Sequence, residues 1–282
     1  MKKLKVPTQR GVLLDGVLFG GGADTVMIAI TGIHGNFYSN PFYYNIGDTL
    51  NSGGIDFIYA QTNDAFGQIE TMNIRTNQPE MIGSWNERFS YTDEDIQAYL
   101  DFAERQGYKH IILAGHSLGA NKVIYYLSRH HDKRVEKFIF LSPANLTHMT
   151  SGVSEREKEY IRTEVEKGCG DKLLPFYFMG WVECIAYTAY DWLSDTLNNV
   201  HVDRDGDFSQ VSQITHTGAL LIGTLDRFTY GNPSGFLKNI NDHILTAEQN
   251  KLIFIEGTGH TYQQKEQQLA NLLLETLKEW GY

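Results

Sequence analysis

The sequence predicts an α/β fold with a mostly parallel, doubly wound sheet. Short apolar segments alternate with longer segments of helical character, and strands that alternate with helices pair in parallel. This alternation stops after a strand predicted at 135–142, where a charged helix and an aromatic-rich segment follow. We therefore predict a core of residues 1–144 and 214–282. Residues 145–213, called the insertion below, are predicted to form a helical lid over the carboxyl ends of the strands.

The chain begins with three predicted strands. Residues 3–7 and 11–19 flank the polar turn Thr8–Arg10, which favours an antiparallel hairpin at the edge of the sheet. Residues 25–30 are largely β-branched and apolar, as is typical of a central strand buried on both faces. The hairpin should therefore border a buried parallel sheet.

The next part of the chain combines regular elements with a long loop. A helix is expected from Asn40-Pro41 to Gly53-Gly54, followed by a strand at 56–60. Residues 62–89 are polar and irregular and are predicted to form a loop, which at this length tends to be functional or mobile. Thr92 is expected to cap a helix that runs to about Gln106, with Asp95 at its third position.

The segment from Ile111 to Ala120 is the most informative part of the sequence. An apolar run predicts a buried strand, Gly115–Gly119 matches G-x-S-x-G, and helical character follows from Asn121 to Arg129. A strand, a tight turn and a helix form the context of a nucleophile elbow, in which strain raises the serine hydroxyl above the sheet. Ser117 is therefore predicted to be a nucleophile.

The rest of the chain supplies candidates for the groups that would activate this serine. The remaining predicted elements are strands at 219–223 and 251–255, a short helix within 231–245 and an amphipathic helix at 262–280. A serine hydroxyl needs a general base and a group that orients the base, in the chain order Ser, Asp, His. Asp226 follows the first of these strands and His260 follows the second. Imidazole titrates near neutral pH, at roughly 6.5, which suits proton transfer.

Two other carboxylates could in principle orient His260. Asp242 lies inside a predicted helix and not at a strand end, and Glu256 lies only four residues before the histidine. Both positions are less suitable than that of Asp226.

Acyl transfer also requires donors for an oxyanion. One is expected to be the backbone N–H of Leu118, directly after the nucleophile. The other is expected in the loop after strand 25–30, with Asn36 as the first choice and Ile33 and Phe37 as alternatives. The side chains of Phe37, His116 and Trp181 are expected to contact the substrate.

Composition excludes several other classes of protein. A net charge of −10 argues against nucleic acid as a partner, and no apolar stretch is long enough for a membrane-spanning helix. The two cysteines, Cys169 and Cys184, are expected to be reduced thiols, as in a cytoplasmic protein. No motif predicts a metal site or an organic cofactor, and the sequence does not indicate an oligomeric state.

The whole chain resembles an α/β-hydrolase in the His34-Gly35 loop, Gly115–Gly119, Gly223–Asp226 and Gly257–His260. In addition, Phe37–Phe42 and the ending His260-Thr-Tyr262 are similar to a subgroup of hydrolases that includes fungal siderophore esterases. The resemblance implies a helical cap at 145–213 and hydrolysis of an ester of a small or medium-sized organic compound. A serine nucleophile speaks against the dehalogenases and epoxide hydrolases of this superfamily, which use an aspartate.

The expected function is therefore that of a cytoplasmic serine hydrolase acting on a carboxylic ester or thioester. Ser117 would form an acyl-enzyme, His260 would transfer the proton and Asp226 would orient His260. The same residues would also serve amide, peptide or C–C bond hydrolysis, or acyl transfer to another acceptor. A ligand-binding protein that has lost catalysis is a further alternative, since a fold alone does not determine function.

Overall fold

An eight-stranded sheet forms the centre of the computed structural model, which describes residues 1–282. The strands are β1 Lys2–Pro7, β2 Leu13–Phe19, β3 Thr25–Ile30, β4 Asp56–Ala60, β5 Ile69–Asn73, β6 Gln78–Ile82, β7 His110–Ser117, β8 Val135–Pro143, β9 Thr217–Gly223 and β10 Lys251–Ile255. The helices are α1 Phe42–Ser52, α2 Thr92–Gln106, α3 Leu118–His130, α4 Leu146–Thr150, α5 Glu155–Glu166, α6 Ala186–Trp192, α7 Pro233–Asp242 and α8 Glu266–Glu279.

The order of strands in the large sheet is β1-β2-β4-β3-β7-β8-β9-β10. The pairs β1–β2 and β2–β4 are antiparallel, and every pair from β4 to β10 is parallel. Because parallel strands end at the same edge, the segments that follow β3, β7, β8, β9 and β10 meet there. This arrangement confirms the predicted mostly parallel α/β sheet with an antiparallel hairpin at its edge.

Helices cover both faces of the sheet, as a doubly wound fold requires. On β3, Val26, Ile28 and Ile30 point into an apolar cluster shared with α2, α3 and α7. Met27 and Ala29 point into a second cluster, shared with α1 and α8. Alternate residues of the strand thus enter two separate cores, which explains why the whole strand is apolar.

The structure differs from the sequence prediction at two places before β7. Residues 62–89 are not one irregular loop, because β5 and β6 form an antiparallel hairpin within them. Thr92 is the first residue of α2 and makes no side-chain cap; Tyr91 occupies the capping position instead. The side chain of Asp95 accepts a hydrogen bond from the backbone N–H of Asn63 at 2.8 Å and so does not serve the helix end.

The insertion lies between β8 and β9 and carries α4, α5 and α6. Ser154 begins α5 with a capping box in which its side chain and that of Glu157 satisfy each other's backbone N–H groups. The aromatic-rich part is mostly irregular, and only Ala186–Trp192 within it is α-helical. Both cysteines of the insertion are free thiols, and no helix in the structure is long and apolar enough to cross a membrane.

The insertion has its own apolar core, which also includes residues of the central domain. Buried Phe178, Trp192 and Leu197 share this cluster with Leu118 at the start of α3. Hydrogen bonds fix the insertion to the segment just before α2: Ile185 N–H donates to the carbonyl of Trp85 at 2.8 Å, and Arg88 pairs with Asp191 at 3.0 Å. The insertion is therefore packed directly over the start of α3.

Candidate active site

Ser117 lies on a strained turn between β7 and α3. Its backbone has φ 56° and ψ −128°, which a residue with a side chain rarely adopts. The glycines around it are sterically required, because a Cβ on Gly115 would lie 2.3 Å from the carbonyl oxygen of Gly119. A Cβ on Gly119 would lie 2.2 Å from the carbonyl oxygen of Ile30. The turn therefore has the geometry of a nucleophile elbow, with its strain held by close packing of strand and helix.

Ser117, His260 and Asp226 form one chain of hydrogen bonds. The Nε2 atom of His260 lies 2.8 Å from the Ser117 hydroxyl, and its Nδ1 lies 2.9 Å from Oδ2 of Asp226. The other oxygen of Asp226 accepts a hydrogen bond from the backbone N–H of Phe228 at 3.0 Å. The structure thus brings together the three residues that the sequence singled out on three different loops.

The environment of Asp226 keeps this side chain ionised. Burial alone would raise the pKa of the carboxyl, but hydrogen bonds and charge from His260, with the Phe228 N–H, outweigh it and lower that pKa below its ordinary value. An acceptor-only carboxylate beside Nδ1 requires the hydrogen to sit on that nitrogen, and this leaves Nε2 free to accept the serine proton.

The alternative carboxylates lie elsewhere. Asp242 forms surface ion pairs with Lys238 at 3.2 Å and Arg204 at 3.9 Å. Glu256 accepts a hydrogen bond from the hydroxyl of Thr224 at 3.3 Å. Neither carboxylate contacts His260, and Asp226 alone has the orienting geometry.

The loop after β3 does not offer Asn36 to the serine. The backbone N–H of Asn36 donates to the Ser39 hydroxyl at 3.2 Å, and its side chain bonds to His34 and Tyr38, all within the same turn. We therefore revise the first choice for the second oxyanion donor, because this N–H is already engaged. Phe37, on the same turn as Asn36, packs its ring against Tyr44 of α1 and Tyr59 of β4.

Gly32 is the residue of this loop that approaches Ser117, and Ile33 follows it directly. A Cβ on Gly32 would lie 2.9 Å from the Cβ of Ser117, so only glycine allows this contact without displacement. The backbone N–H groups of Gly32 and Ile33 have no acceptor in the structure. The Leu118 N–H belongs to the first turn of α3, which lacks intrahelical acceptors. The N–H groups of Ile33, directly after Gly32, and of Leu118, directly after Ser117, thus belong to two segments of the chain that meet at the serine.

The side chains expected at the substrate have three different environments. His116 is fully buried, and its Nε2 lies 2.8 Å from the backbone carbonyl oxygen of His260, so it contacts the protein and not a ligand. Trp181 is 47% exposed and lies edge-on to His34, with ring centroids 5.3 Å apart. Phe37 belongs to the aromatic packing described above. Of the three, only Trp181 is both exposed and adjacent to the loop beside Ser117.

A buried ionic cluster supports the loop beside the serine, and the sequence analysis missed it. Lys122, on α3, lies 2.6 Å from Glu87 and 3.1 Å from both Asp64 and the hydroxyl of Thr62. Residues 60–65 in turn support the loop after β3. The Thr31 N–H donates to the carbonyl of Ala60, and His34 forms a β-bridge with Ala65.

Comparison of the sequence with known proteins identifies a family. The family model described as "Protein of unknown function (DUF1749)" matches residues 19–216. No curated protein matches the sequence significantly.

Solved structures align with nearly the whole chain. Est1E from Butyrivibrio proteoclasticus, solved with ferulic acid bound, has a TM-score of 0.69 at 16% identity, with 98% of each chain covered. The α/β hydrolase GrgF from Penicillium sp. sh18 has a TM-score of 0.70 at 17% identity, covering 99% of this chain and 98% of GrgF. The Pyrococcus furiosus esterase Pf2001 has a TM-score of 0.60 at 17% identity, covering 99% and 90%. The fold is therefore that of the α/β hydrolases.

Proposed function

The chain belongs to the DUF1749 family, and we propose that it is a serine hydrolase that cleaves a carboxylic ester or thioester through an acyl-enzyme on Ser117. The observation that carries the proposal is the continuous hydrogen-bonded chain Ser117–His260–Asp226, with the serine on a strained elbow. A stable fold does not require a serine hydroxyl, an imidazole and a carboxylate to be hydrogen-bonded in this order, whereas nucleophilic catalysis by serine does.

In the first half of the reaction, His260 accepts the proton of Ser117 as the hydroxyl oxygen attacks the substrate carbonyl carbon. Asp226 holds the imidazole in the required tautomer and stabilises its positive charge. The tetrahedral intermediate collapses when the bond to the alcohol or thiol breaks, and the proton on His260 goes to that leaving group. An acyl group then remains on the Ser117 oxygen.

In the second half, a water molecule takes the place of the leaving group. His260 accepts a proton from the water, whose oxygen attacks the acyl carbon, and then returns a proton to Ser117. The products are a carboxylic acid and the free serine. The proposed route uses only protein groups and water.

The oxyanion that forms in both halves is assigned to the backbone N–H groups of Leu118 and Ile33. Leu118 follows Ser117 directly, Ile33 follows the glycine that contacts Ser117, and the Ile33 N–H has no acceptor within the protein, which supports its use by a ligand. This assignment replaces Asn36 with an alternative that the sequence analysis had left open.

The insertion, proposed to act as a cap, favours an apolar or aromatic substrate. Exposed Trp181 lies beside His34 on one side of the site. In the central domain the ring of Phe228 meets His260 edge-on, with centroids 4.4 Å apart, and exposed Tyr230 is hydrogen-bonded to His148 of the insertion. Several proteins of this fold are described as esterases or as a monoacylglycerol lipase, and this supports an ester bond by analogy of fold.

Hydrolysis of p-nitrophenyl esters from acetate to octanoate, by wild type and Ser117→Ala in parallel, tests the proposal. We expect the substitution to reduce kcat by at least about 10³-fold, because the remaining oxyanion donors cannot replace the nucleophile. The chain length with the highest kcat/KM reports the size of the acyl site. Equal rates in the two proteins would refute the role of Ser117. Turnover of anilides but not of esters would favour amide hydrolysis instead.

A further inference from the structure

His116, the residue directly before Ser117, is hydrogen-bonded to the loop that carries His260. Its ring is buried among Phe42, Tyr43 and Tyr262, with centroids 4.9, 6.3 and 6.1 Å away. Its Nε2 atom lies 2.8 Å from the backbone carbonyl oxygen of His260. The two residues are 144 positions apart in sequence, so the contact joins the end of β7 to a distant loop of the site.

The carbonyl partner determines the state of the His116 ring. A carbonyl oxygen only accepts hydrogen bonds, so Nε2 carries a hydrogen and donates it. The other nitrogen, Nδ1, is buried and has no partner in the structure. Burial lowers the pKa of His116 to about 3, so the ring stays neutral throughout the range in which an imidazole base can work.

The hydrogen bond from His116 is the only one made by the main chain of His260. Neither its N–H nor its carbonyl has a backbone partner, although neighbouring Gly259 and Thr258 bond to Tyr262 and Leu225. β10 ends at Ile255, and the loop after it contains Gly257 with a φ of 74°, so this loop is not held by strand pairing. Without His116, packing and the side-chain bonds to Ser117 and Asp226 would have to position the base.

We propose that His116 is a positioning residue that fixes the main chain of His260, so that the imidazole stays aligned between Ser117 and Asp226. The inference rests on the proposed function of these three residues. Because His116 is covalently next to Ser117, its hydrogen bond sets the distance between the nucleophile and the base directly. A displacement of about 1 Å at such a base can cost roughly 10²-fold in rate.

The test separates the hydrogen bond from the packing of the ring. His116→Phe and His116→Leu keep an apolar side chain in the aromatic surroundings but cannot donate. His116→Gln places an amide N–H near the position of Nε2 and restores a donor. We expect kcat for p-nitrophenyl butyrate to fall about 10- to 100-fold in the variants without a donor, with KM changed less than threefold. The Gln variant should recover to within about fivefold of wild type.

Thermal unfolding and a fluorophosphonate label complete the experiment. If His116 had a purely structural role, Tm and activity would fall together in all three variants, and Gln would not restore activity. This result would overturn the inference. Wild-type kcat in a folded Phe or Leu variant would also overturn it. If Ser117 reacts with the label equally fast in wild type and in the Phe and Leu variants, the positioning role is refuted and the proposed function stands. If the label does not react with wild type at all, the proposed function fails and this inference fails with it.

Discussion

At the scale of single residues, the site depends on close contacts that only glycine permits. Gly32 touches Ser117, and Gly115 and Gly119 allow the strand and helix of the elbow to approach each other. The three positions act differently, because Gly115 and Gly119 face backbone atoms whereas Gly32 faces the nucleophile itself. Substitution at Gly32 should therefore affect the reaction more than the fold.

We predict that Gly32→Ala reduces kcat/KM for a p-nitrophenyl ester at least about tenfold, because the new methyl group would displace Ser117 or the loop that carries the Ile33 N–H. Steady-state kinetics and a thermal melt measure the two effects separately. Gly67→Ala is the matched control, since its Cβ would meet nothing within 4 Å. An unchanged kcat/KM in Gly32→Ala would contradict the described approach of this loop to the serine.

A second prediction at this scale concerns the orienting acid. Asp226→Asn should leave the fold intact and reduce kcat about 10²- to 10⁴-fold, because an amide favours the wrong tautomer of His260. Asp242→Asn and Glu256→Gln serve as controls and should retain nearly full activity, since neither carboxylate contacts His260. A larger loss in either control than in Asp226→Asn would show that the acid has been misassigned.

At the scale of elements, the strands and helices that carry the site were predicted well from the sequence. Buried parallel strands are continuous apolar runs, and the glycine spacing marks the elbow, so β3, β7, α3 and β10 could be located from local pattern alone. The hairpin β5–β6 could not, because half of its residues are polar and its apolar residues do not alternate with them as in a typical half-buried strand.

Lys122 was also missed, and for a different reason. It lies five residues after Ser117 in α3 and looks like a surface lysine in the sequence. Its partners Asp64 and Glu87 are 58 and 35 positions away (122 − 64 and 122 − 87), and nothing local indicates that the fold brings them together. In the loop after β3, the choice between Ile33 and Asn36 likewise required the structure, which shows the hydrogen bonds of Asn36 within its turn and the contact of Gly32 with Ser117.

We predict that Lys122→Met strongly destabilises the protein. The substitution would leave the carboxylates of Asp64 and Glu87 buried without a cation, a loss of about 3–5 kcal/mol in the free energy of unfolding. Urea denaturation followed by circular dichroism measures it. Lys109→Met removes an exposed pair with Asp24 and should cost no more than about 1 kcal/mol. Equal losses in the two variants would contradict a structural role for the buried cluster.

At the scale of the whole molecule, buried carboxylates link stability to pH. Burial raises the pKa of Asp95 to about 7, against the opposing effects of Arg10, the Asn63 N–H and Lys122. Burial and the charge of Asp64 likewise raise the pKa of Glu87, despite the neighbouring Lys122. A carboxyl whose pKa is higher in the folded state stabilises the fold below its unfolded pKa. That stabilisation is lost as the pH rises through the folded value.

The contribution of Asp95 to the free energy of unfolding should therefore decline from about pH 4 to pH 7, the interval between the ordinary and the raised pKa of its carboxyl. Buried His116, whose pKa is lowered to about 3, changes the stability in the opposite direction over most of this interval, so the effect of Asp95 is read as a difference between two proteins. Asp95→Asn resembles the protonated side chain, so the free energy of unfolding of wild type should fall relative to that of the variant as the pH rises. Urea midpoints for wild type and the variant across this range provide the measurement. The same pH dependence of stability in both proteins would exclude this contribution of Asp95.

The arrangement of the whole molecule also places the insertion over the start of α3, where Leu118 belongs to the apolar core of the insertion. A cap at this position would shape the substrate site above Ser117, and sequence alone could not reveal how its aromatic residues are distributed. Phe178 and Trp192 fill the core of the insertion, whereas Trp181 and Tyr177 remain exposed. Substrate preference should therefore respond to changes at the exposed pair, and stability to changes at the buried pair.

The central claim is that His260 activates Ser117 as a nucleophile, and intact-mass measurement after reaction with a fluorophosphonate tests it most directly. The account predicts one covalent adduct on wild type, located at Ser117 by peptide mapping. It predicts no adduct on Ser117→Ala and at least about 10²-fold slower labelling of His260→Ala, since the general base is lost. Failure of wild type to react, or an adduct that persists in Ser117→Ala, would contradict the account.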